Sequence, residues 1–176
     1  GATLLPPANT IKINLETGSK FKNHSWWDHN FSSPDGKMTA EDAKSETERL
    51  LSNAVARQMV SDVPIGSYLS GGMDSGSLSV LASKHVNRLY TFTAGFEMSE
   101  VHGNEAGYDE RLDAELTANF IKSEHYEQVL NAGDIRWSLP RLVWHLEDLR
   151  VGMSYPNYDI SRLASKFVKV CLQGTG

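Results

Sequence analysis

Leu69-Ser70-Gly71-Gly72-Met73-Asp74-Ser75 is the stretch that decides the fold. Ahead of it, Ile65 to Leu69 reads as a short strand. Behind it, Leu78, Leu81, Ala82 and His85-Val86 recur at helical spacing. A glycine pair therefore lies between a strand and a helix. Without Cβ atoms, the backbone there can bend sharply and approach an anion. The helix beginning near Gly76 aims its unpaired amides and positive dipole end at the same spot, and Ser70 and Ser75 add hydroxyls. Asp74 is the odd member, because a carboxylate beside an anion cradle repels its guest unless a cation lies between them. Mg²⁺ suits that place, since it takes carboxylate and phosphate oxygens together. Rival loops do not fit: there is no GxxxxGK[ST], no GxGxxG after the strand and no GxSxG. Alone, a Gly-Gly pair reads equally well as a plain turn.

The same alternation runs outward from the loop. Tyr90 to Phe96 predicts a second strand, Tyr108 to Ile121 a helix with Leu112, Leu116, Phe120 and Ile121 inward, and Tyr126 to Leu130 a third strand. Asp134 to Leu146 and a segment opened by Pro156 predict two more helices, the latter with Ile160, Leu163, Ala164 and Phe167 inward. Val168 to Leu172 is a last strand, ending at Gln173-Gly174-Thr175-Gly176. Strands alternating with helices imply a parallel α/β sheet covered on both faces. Upstream, Thr39 caps a long helix with Asp42 three residues on. Leu50, Leu51, Ala54, Val55 and Met59 share its apolar face, and it stops before Pro64. Ile11 to Leu15 alternates as a strand, Thr17-Gly18 is a turn, one of Trp26 and Trp27 packs, and 31–37 is a linker.

Composition bounds the function. The 176 residues carry 17 basic and 22 acidic side chains, a net charge of −5, which argues against a nucleic-acid or anionic-membrane binder. A 40% hydrophobic content in a chain of this length supports a buried core. One cysteine, Cys171, excludes an intrachain disulfide and a cysteine-clustered zinc site. The six histidines are not paired at ligand spacing. No apolar run approaches the ~18 residues of a membrane helix, and Gly1 to Pro7 does not read as a signal peptide. The expectation is a soluble, cytoplasmic protein.

The whole string Ser70 to Ser75 resembles the SGGxDS loop of the PP-loop ATP pyrophosphatases. The run Ser61-Asp62-Val63-Pro64-Ile65-Gly66-Ser67-Tyr68-Leu69 that leads into it resembles one branch, the glutamine-dependent asparagine synthetases. Tyr108-Asp109-Glu110-Arg111, His125-Tyr126-Glu127, Trp144-His145-Leu146-Glu147 and Leu172-Gln173-Gly174-Thr175-Gly176 follow in that family's order. The resemblance covers about Leu5 to Gly176. It implies an adenine-nucleotide alpha-hydrolase-like fold, incomplete here, with 1–35 as the tail of an amino-terminal glutaminase domain plus linker and 36–176 as the ATP-binding synthetase domain. It implies Mg²⁺ and ATP: Leu69 and Ala94 beside the adenine, Ser70, Gly71, Gly72 and Ser75 on the pyrophosphate, Asp74 on the metal, and Gln173 and Gly174 at the end of the later strand. Gln173 stands where the family has Ser, and Met73 where Leu is commoner. The resemblance also implies that Glu147-Asp148 recognises the substrate amine, although Leu149 stands where the family usually has Pro. The glutaminase nucleophile would be an amino-terminal cysteine, and Gly1 stands there. The Gly-Asp-Glu expected after Gly176, with the second metal-binding acid, lies beyond the chain.

What the resemblance implies is AMP-forming amide synthesis, aspartate to asparagine through a β-aspartyl-adenylate, with ammonia from glutamine. No catalytic residue beyond the phosphate loop falls in this piece, which alone is expected to be inactive. A homodimer is left open. Two alternatives remain: a synthetase of the same branch acting on another carboxylate, β-lactam-forming or peptide-modifying, and a non-catalytic nucleotide-binding piece. Other residues have plainer readings. The acids from Glu97 to Glu115 read first as a solvated loop and helix start, and second as Asp109 or Glu110 near the metal-pyrophosphate site. His125, Trp144 and His145 read as packing residues, and Cys171 as a core thiol.

Overall fold

The computed structural model describes residues 3–19, 23–30, 36, 38–98, 109–147 and 154–174. The chain divides into two compact units, Gly1–Lys44 and Ser45–Gly176. In the first, β1 (Asn9–Thr10) pairs antiparallel with β2 (His24–Ser25). The strand expected over 11–15 is displaced to β1, because Asn14 closes a turn there. Its Oδ1 accepts from the amides of Glu16 and Thr17 at 2.9 and 3.2 Å, and its carbonyl accepts from Gly18 at 2.8 Å. Gly18 supplies the φ of +65° that this turn needs. The packing expected of Trp26 or Trp27 is not found: both are exposed, and Trp27 only meets the ring of the exposed His29 edge-on at 4.4 Å. The 31–37 linker lies outside the described residues except for Gly36.

Helix α1 (Ala40–Gln58) carries the expected cap. Thr39 Oγ1 accepts from the Asp42 amide at 3.1 Å, and Asp42 Oδ2 accepts from the Thr39 amide at 3.1 Å, a reciprocal capping box. Its buried face is narrower than the pattern implied: Val55 is buried and Leu50 is exposed.

The second unit is built on four parallel strands in the order β5-β4-β3-β6. These are β3 (Ile65–Tyr68), β4 (Tyr90–Phe96), β5 (Glu124–Leu130) and β6 (Val170–Leu172). Period-2 alternation divides their side chains between two faces. On one face Phe92 packs with Ile160, Ala164 and Val168, and the ring of Phe167 stacks on Tyr126 at 4.1 Å. Helix α5 (Ser154–Ala164) covers this face, backed by α4 (Ala132–Leu146). Gly66 is on the same face; a Cβ there would lie 2.8 Å from Phe92 Cε2. On the other face Val55, Ala82 and Leu89 cluster with Leu78, Leu81 and Ile121, under α1, α2 (Met73–Ser83) and α3 (Arg111–Ile121). Helices on both faces of a parallel sheet match the expected class.

Four expectations need correction. Helix α2 begins at Met73, three residues before Gly76, so Asp74 and Ser75 stand in its first turn. Helix α3 turns its small residues inward: Ala114 and Ala118 are buried, with Leu69 between them, while Leu112, Leu116 and Phe120 are 67, 60 and 77% exposed. The alanines allow α3 to sit close to the sheet, and an apolar stripe read by hydrophobicity alone selects the wrong face. Trp144 is 81% exposed, and His145 is exposed too, with one ring contact to Tyr158 at 5.7 Å. Strand β6 starts at Val170, and Val168 enters the core from the preceding turn.

Helices α4 and α5 are locked by a buried carboxylate. Asp159, 1% exposed, accepts a 2.6 Å hydrogen bond from Ser138 Oγ, with Arg162 Nη2 at 3.7 Å. Removing the donor leaves a buried acceptor short of a partner. Ser138→Ala is expected to lower unfolding free energy by about 1–3 kcal/mol in urea denaturation. A change below about 0.5 kcal/mol would show that the carboxylate is satisfied without Ser138.

Candidate functional site

Strand order locates the site. From β3 the chain passes through α2 to β4 and onward to β5; from β5 it returns through α4 and α5 to β6, on the opposite side of β3. The order therefore reverses between β3 and β6. In open α/β sheets the crevice at the carboxyl ends of strands flanking such a reversal is where ligands bind. A cleft of ≈ 800 Å³ opens here, where the turn after β3 meets Gln173 and Gly174 after β6.

The turn is latched from within. Ser75 Oγ accepts from the Ser70 amide at 3.0 Å and lies 2.9 Å from Ser70 Oγ, and Ser70 Oγ accepts from the Gly72 amide at 3.1 Å. No side chain caps α2, so the amides of Met73, Asp74 and Ser75 begin the helix without intrahelical acceptors. Gly174 packs against the Asp74–Ser75 peptide: a Cβ there would lie 3.0 Å from Ser75 N and 3.2 Å from Asp74 C. Neither Gly71 nor Gly72 adopts a positive φ, so sharp bending is not the reason for the glycine pair. At Gly71 the reason is proximity, because a Cβ would lie 3.0 and 3.1 Å from the Cβ atoms of Asp113 and Glu110.

The cleft has an apolar end and an acidic end. Tyr68, Leu69, Phe92, Ala94, Phe96 and Ile160 supply flat or branched apolar surface, edged by the amides of Asn157 and Gln173. The Tyr68 hydroxyl lies 2.8 Å from Ser161 Oγ, and burial raises its pKa. Burial likewise pushes the half-buried Cys171 thiol up, which makes it a poor nucleophile. The acidic end holds Asp74, Asp109 and Glu110, and among the described residues no lysine, arginine or histidine lines the cleft. Asp109 is held by Arg111, whose Nε and Nη2 donate at 2.8 and 2.6 Å. That hydrogen bonding lowers the Asp109 pKa below 3.8 and raises that of Arg111. The stem of Arg111 fills the space beside Gly95, where any Cβ would collide with it.

Of the expected site residues, Leu69, Ser70, Gly72, Asp74, Ser75, Ala94, Gln173 and Gly174 are brought together on one cleft. Gly71 is adjacent but not on its lining. Glu147 ends α4 as a left-handed cap at φ 51°, exposed and away from the lining; Asp148 lies outside the described residues. Missed by sequence reading were Tyr68, Phe92, Phe96, Pro156, Asn157 and Ile160. The Tyr155-Pro156-Asn157 helix start was a usable signal, since a helix end facing strand termini lines the same crevice. His125 has the structural place expected, its Nδ1 2.9 Å from Thr91 Oγ1. Among the described residues no three metal-binding side chains cluster, so an ion here would need oxygens from its guest. That is how Mg²⁺ is commonly held, by one or two carboxylates plus phosphates.

Comparison with known proteins adds the family. A family model described as asparagine synthase matches residues 46–176. A putative glutamine-hydrolyzing asparagine synthetase of Mycobacterium tuberculosis H37Rv is 36% identical over 132 residues, 74% of this chain and 19% of that one. The Bacillus subtilis 168 asparagine synthetase [glutamine-hydrolyzing] 1 is 34% identical over 132 residues, 74% of this chain and 20% of that one. A putative counterpart from Methanocaldococcus jannaschii is 31% identical over 148 residues, covering 81% and 27%. The chain thus spans about a fifth to a quarter of these relatives.

The Asp109–Arg111 fork sets a pH expectation. A carboxyl whose pKa is depressed by folding stabilises the folded state above its unfolded pKa, and that contribution fades as pH falls through the folded value. Arg111→Met removes the fork, so its stability loss is expected to be full at neutral pH and to shrink below about pH 3.8. Urea titrations across that range check this; a loss independent of pH would show that Arg111 stabilises through its stem alone.

Proposed function

Because this chain belongs to the asparagine synthase family, we propose that the cleft binds ATP with Mg²⁺ and activates a carboxylate substrate, aspartate, for amide formation. The observation that carries the reading is the uncapped first turn of α2, on the lining of the cleft at the sheet's switch point. Uncapped amides at that place suit phosphate oxygens. The apolar end, with Leu69 and Ala94, suits a purine, and the edging amides of Asn157 and Gln173 suit its polar rim.

In this reading the substrate carboxylate attacks the α-phosphorus of ATP and pyrophosphate leaves. Ammonia then displaces AMP from the acyl-adenylate; glutamine supplies that ammonia in a glutaminase domain such as the matched relatives' names imply. Charge builds on the leaving pyrophosphate, and donors already oriented toward it lower the barrier most. Here those donors are the α2 amides, joined by the Ser70 and Ser75 hydroxyls once these exchange their mutual 2.9 Å contact for the guest. Among the described residues the acidic end has three carboxylates and no basic side chain on its lining, so a triphosphate enters with cations rather than alone. Asp74, in the first turn of α2, would hold Mg²⁺, which when bound neutralises charge on the leaving group. Glu147 remains a candidate for the substrate amine on the strength of the resemblance.

Pyrophosphate release by the complete protein tests both parts. Release is expected to require Mg²⁺ and aspartate, with glutamate and other amino acids inert. Asp74→Asn is expected to reduce it at least ~100-fold while leaving the thermal midpoint within a few degrees. Release driven by another carboxylate would move the assignment to a related adenylating synthetase. Near-normal turnover of the variant would remove Asp74 from the metal site.

A further inference from the structure

The first amide of the glycine pair is already taken. Gly71 N donates to Glu110 Oε2 at 3.2 Å, and Gly71 is absent from the cleft lining while Gly72, Asp74 and Ser75 are on it. Glu110 is the residue preceding α3, 39 positions along the chain. Its place is fixed from two directions. Its carbonyl accepts from the Ala114 amide at 3.0 Å in the first turn of α3. On either side, Arg111 and Asp109 are tied together by their fork, with the stem of Arg111 in the space that Gly95 leaves. The closeness is mutual, since a Cβ on Gly71 would lie 3.1 Å from Glu110 Cβ.

We propose that Glu110 is a positioning residue: its carboxylate holds the Gly71 amide from outside the turn, so that Gly72 and the open first turn of α2 face the cleft. The Ser70–Ser75 latch closes the turn from inside, and Glu110 sets its outer edge from α3. Two anchors on opposite sides remove the turn's freedom to rotate, so its donors are oriented before a guest arrives, and orientation supplied in advance is not charged against binding. Holding the turn requires an acceptor at this position, not a negative charge; the charge of Glu110 belongs to the acidic end of the cleft. The affinity part of the claim rests on the nucleotide reading of the cleft; the geometric part does not.

Two variants in the complete protein separate the alternatives. Glu110→Gln keeps an oxygen that can accept from Gly71, and Glu110→Ala removes it. With Glu110→Ala, hydrogen exchange of the 69–74 backbone should accelerate about tenfold, and KM for ATP should rise about tenfold with kcat changed less than about threefold, the scale of one hydrogen bond to a charged group. Glu110→Gln should keep the 69–74 exchange rate within about threefold of the parent, which also controls for misfolding; exchange alone is read for this variant, because Glu110 also lines the acidic end of the cleft. Unchanged exchange and KM in Glu110→Ala would overturn the proposal. So would 69–74 exchange as fast in Glu110→Gln as in Glu110→Ala, because charge rather than the hydrogen bond would then hold the turn. If the parent protein consumed no ATP, the proposed function would fail, and the exchange comparison would still decide whether Glu110 holds the turn.

Discussion

The second unit depends on the contact between the turn after β6 and the first turn of α2. Gly174 lies so close to the backbone of Asp74 and Ser75 that no side chain fits between them. The β3–β6 ladder sets the carboxyl ends of the two strands side by side, and that contact closes the gap between their turns. The cleft is the space left above it. A residue with a Cβ at Gly174 would push the two turns apart and widen the crevice at the place where its donors converge.

Strand alternation then distributes the work. On β4, Phe92 and Ala94 contribute to the apolar wall, while Thr93 points the other way and donates to the Leu69 carbonyl at 2.5 Å. On β3, Tyr68 belongs to the cleft, while Ser67 faces Ser79 at 2.9 Å beneath α2. One face of the sheet thus builds the guest's wall, and the other fixes the helix whose amides meet the guest. Short polar contacts of this kind hold register at strand ends, where a one-residue slip would exchange the two sets of side chains.

Much of this was legible in the residues. Tyr90–Phe96 reads as a strand from its composition, and the turn from Leu69 to Ser75 reads as a strand-to-helix junction. The Thr39–Asp42 cap reads from its spacing. What was not legible depended on neighbours distant in sequence. The glycine pair suggests bending, yet its Gly71 is needed because α3 passes close by. Helix α3 looks as though Leu112, Leu116 and Phe120 face inward, yet the sheet accepts only the thinner alanine side. The lining from Pro156, Asn157 and Ile160 required knowing that β6 returns beside β3, because only that return brings α5 over the cleft. The Asp109–Arg111 fork could be suspected from adjacent opposite charges, but not its dependence on the bare backbone of Gly95.

The central claim is that the switch-point cleft is the nucleotide site, with the α2 amides toward the phosphates. A crystal structure of the complete protein grown with Mg²⁺ and a non-hydrolysable ATP analogue tests it most directly. The account predicts phosphate oxygens within hydrogen-bond distance of the Met73, Asp74 or Ser75 amides, and the base against Leu69 and Ala94. Nucleotide density elsewhere, or a triphosphate turned away from α2, would contradict it.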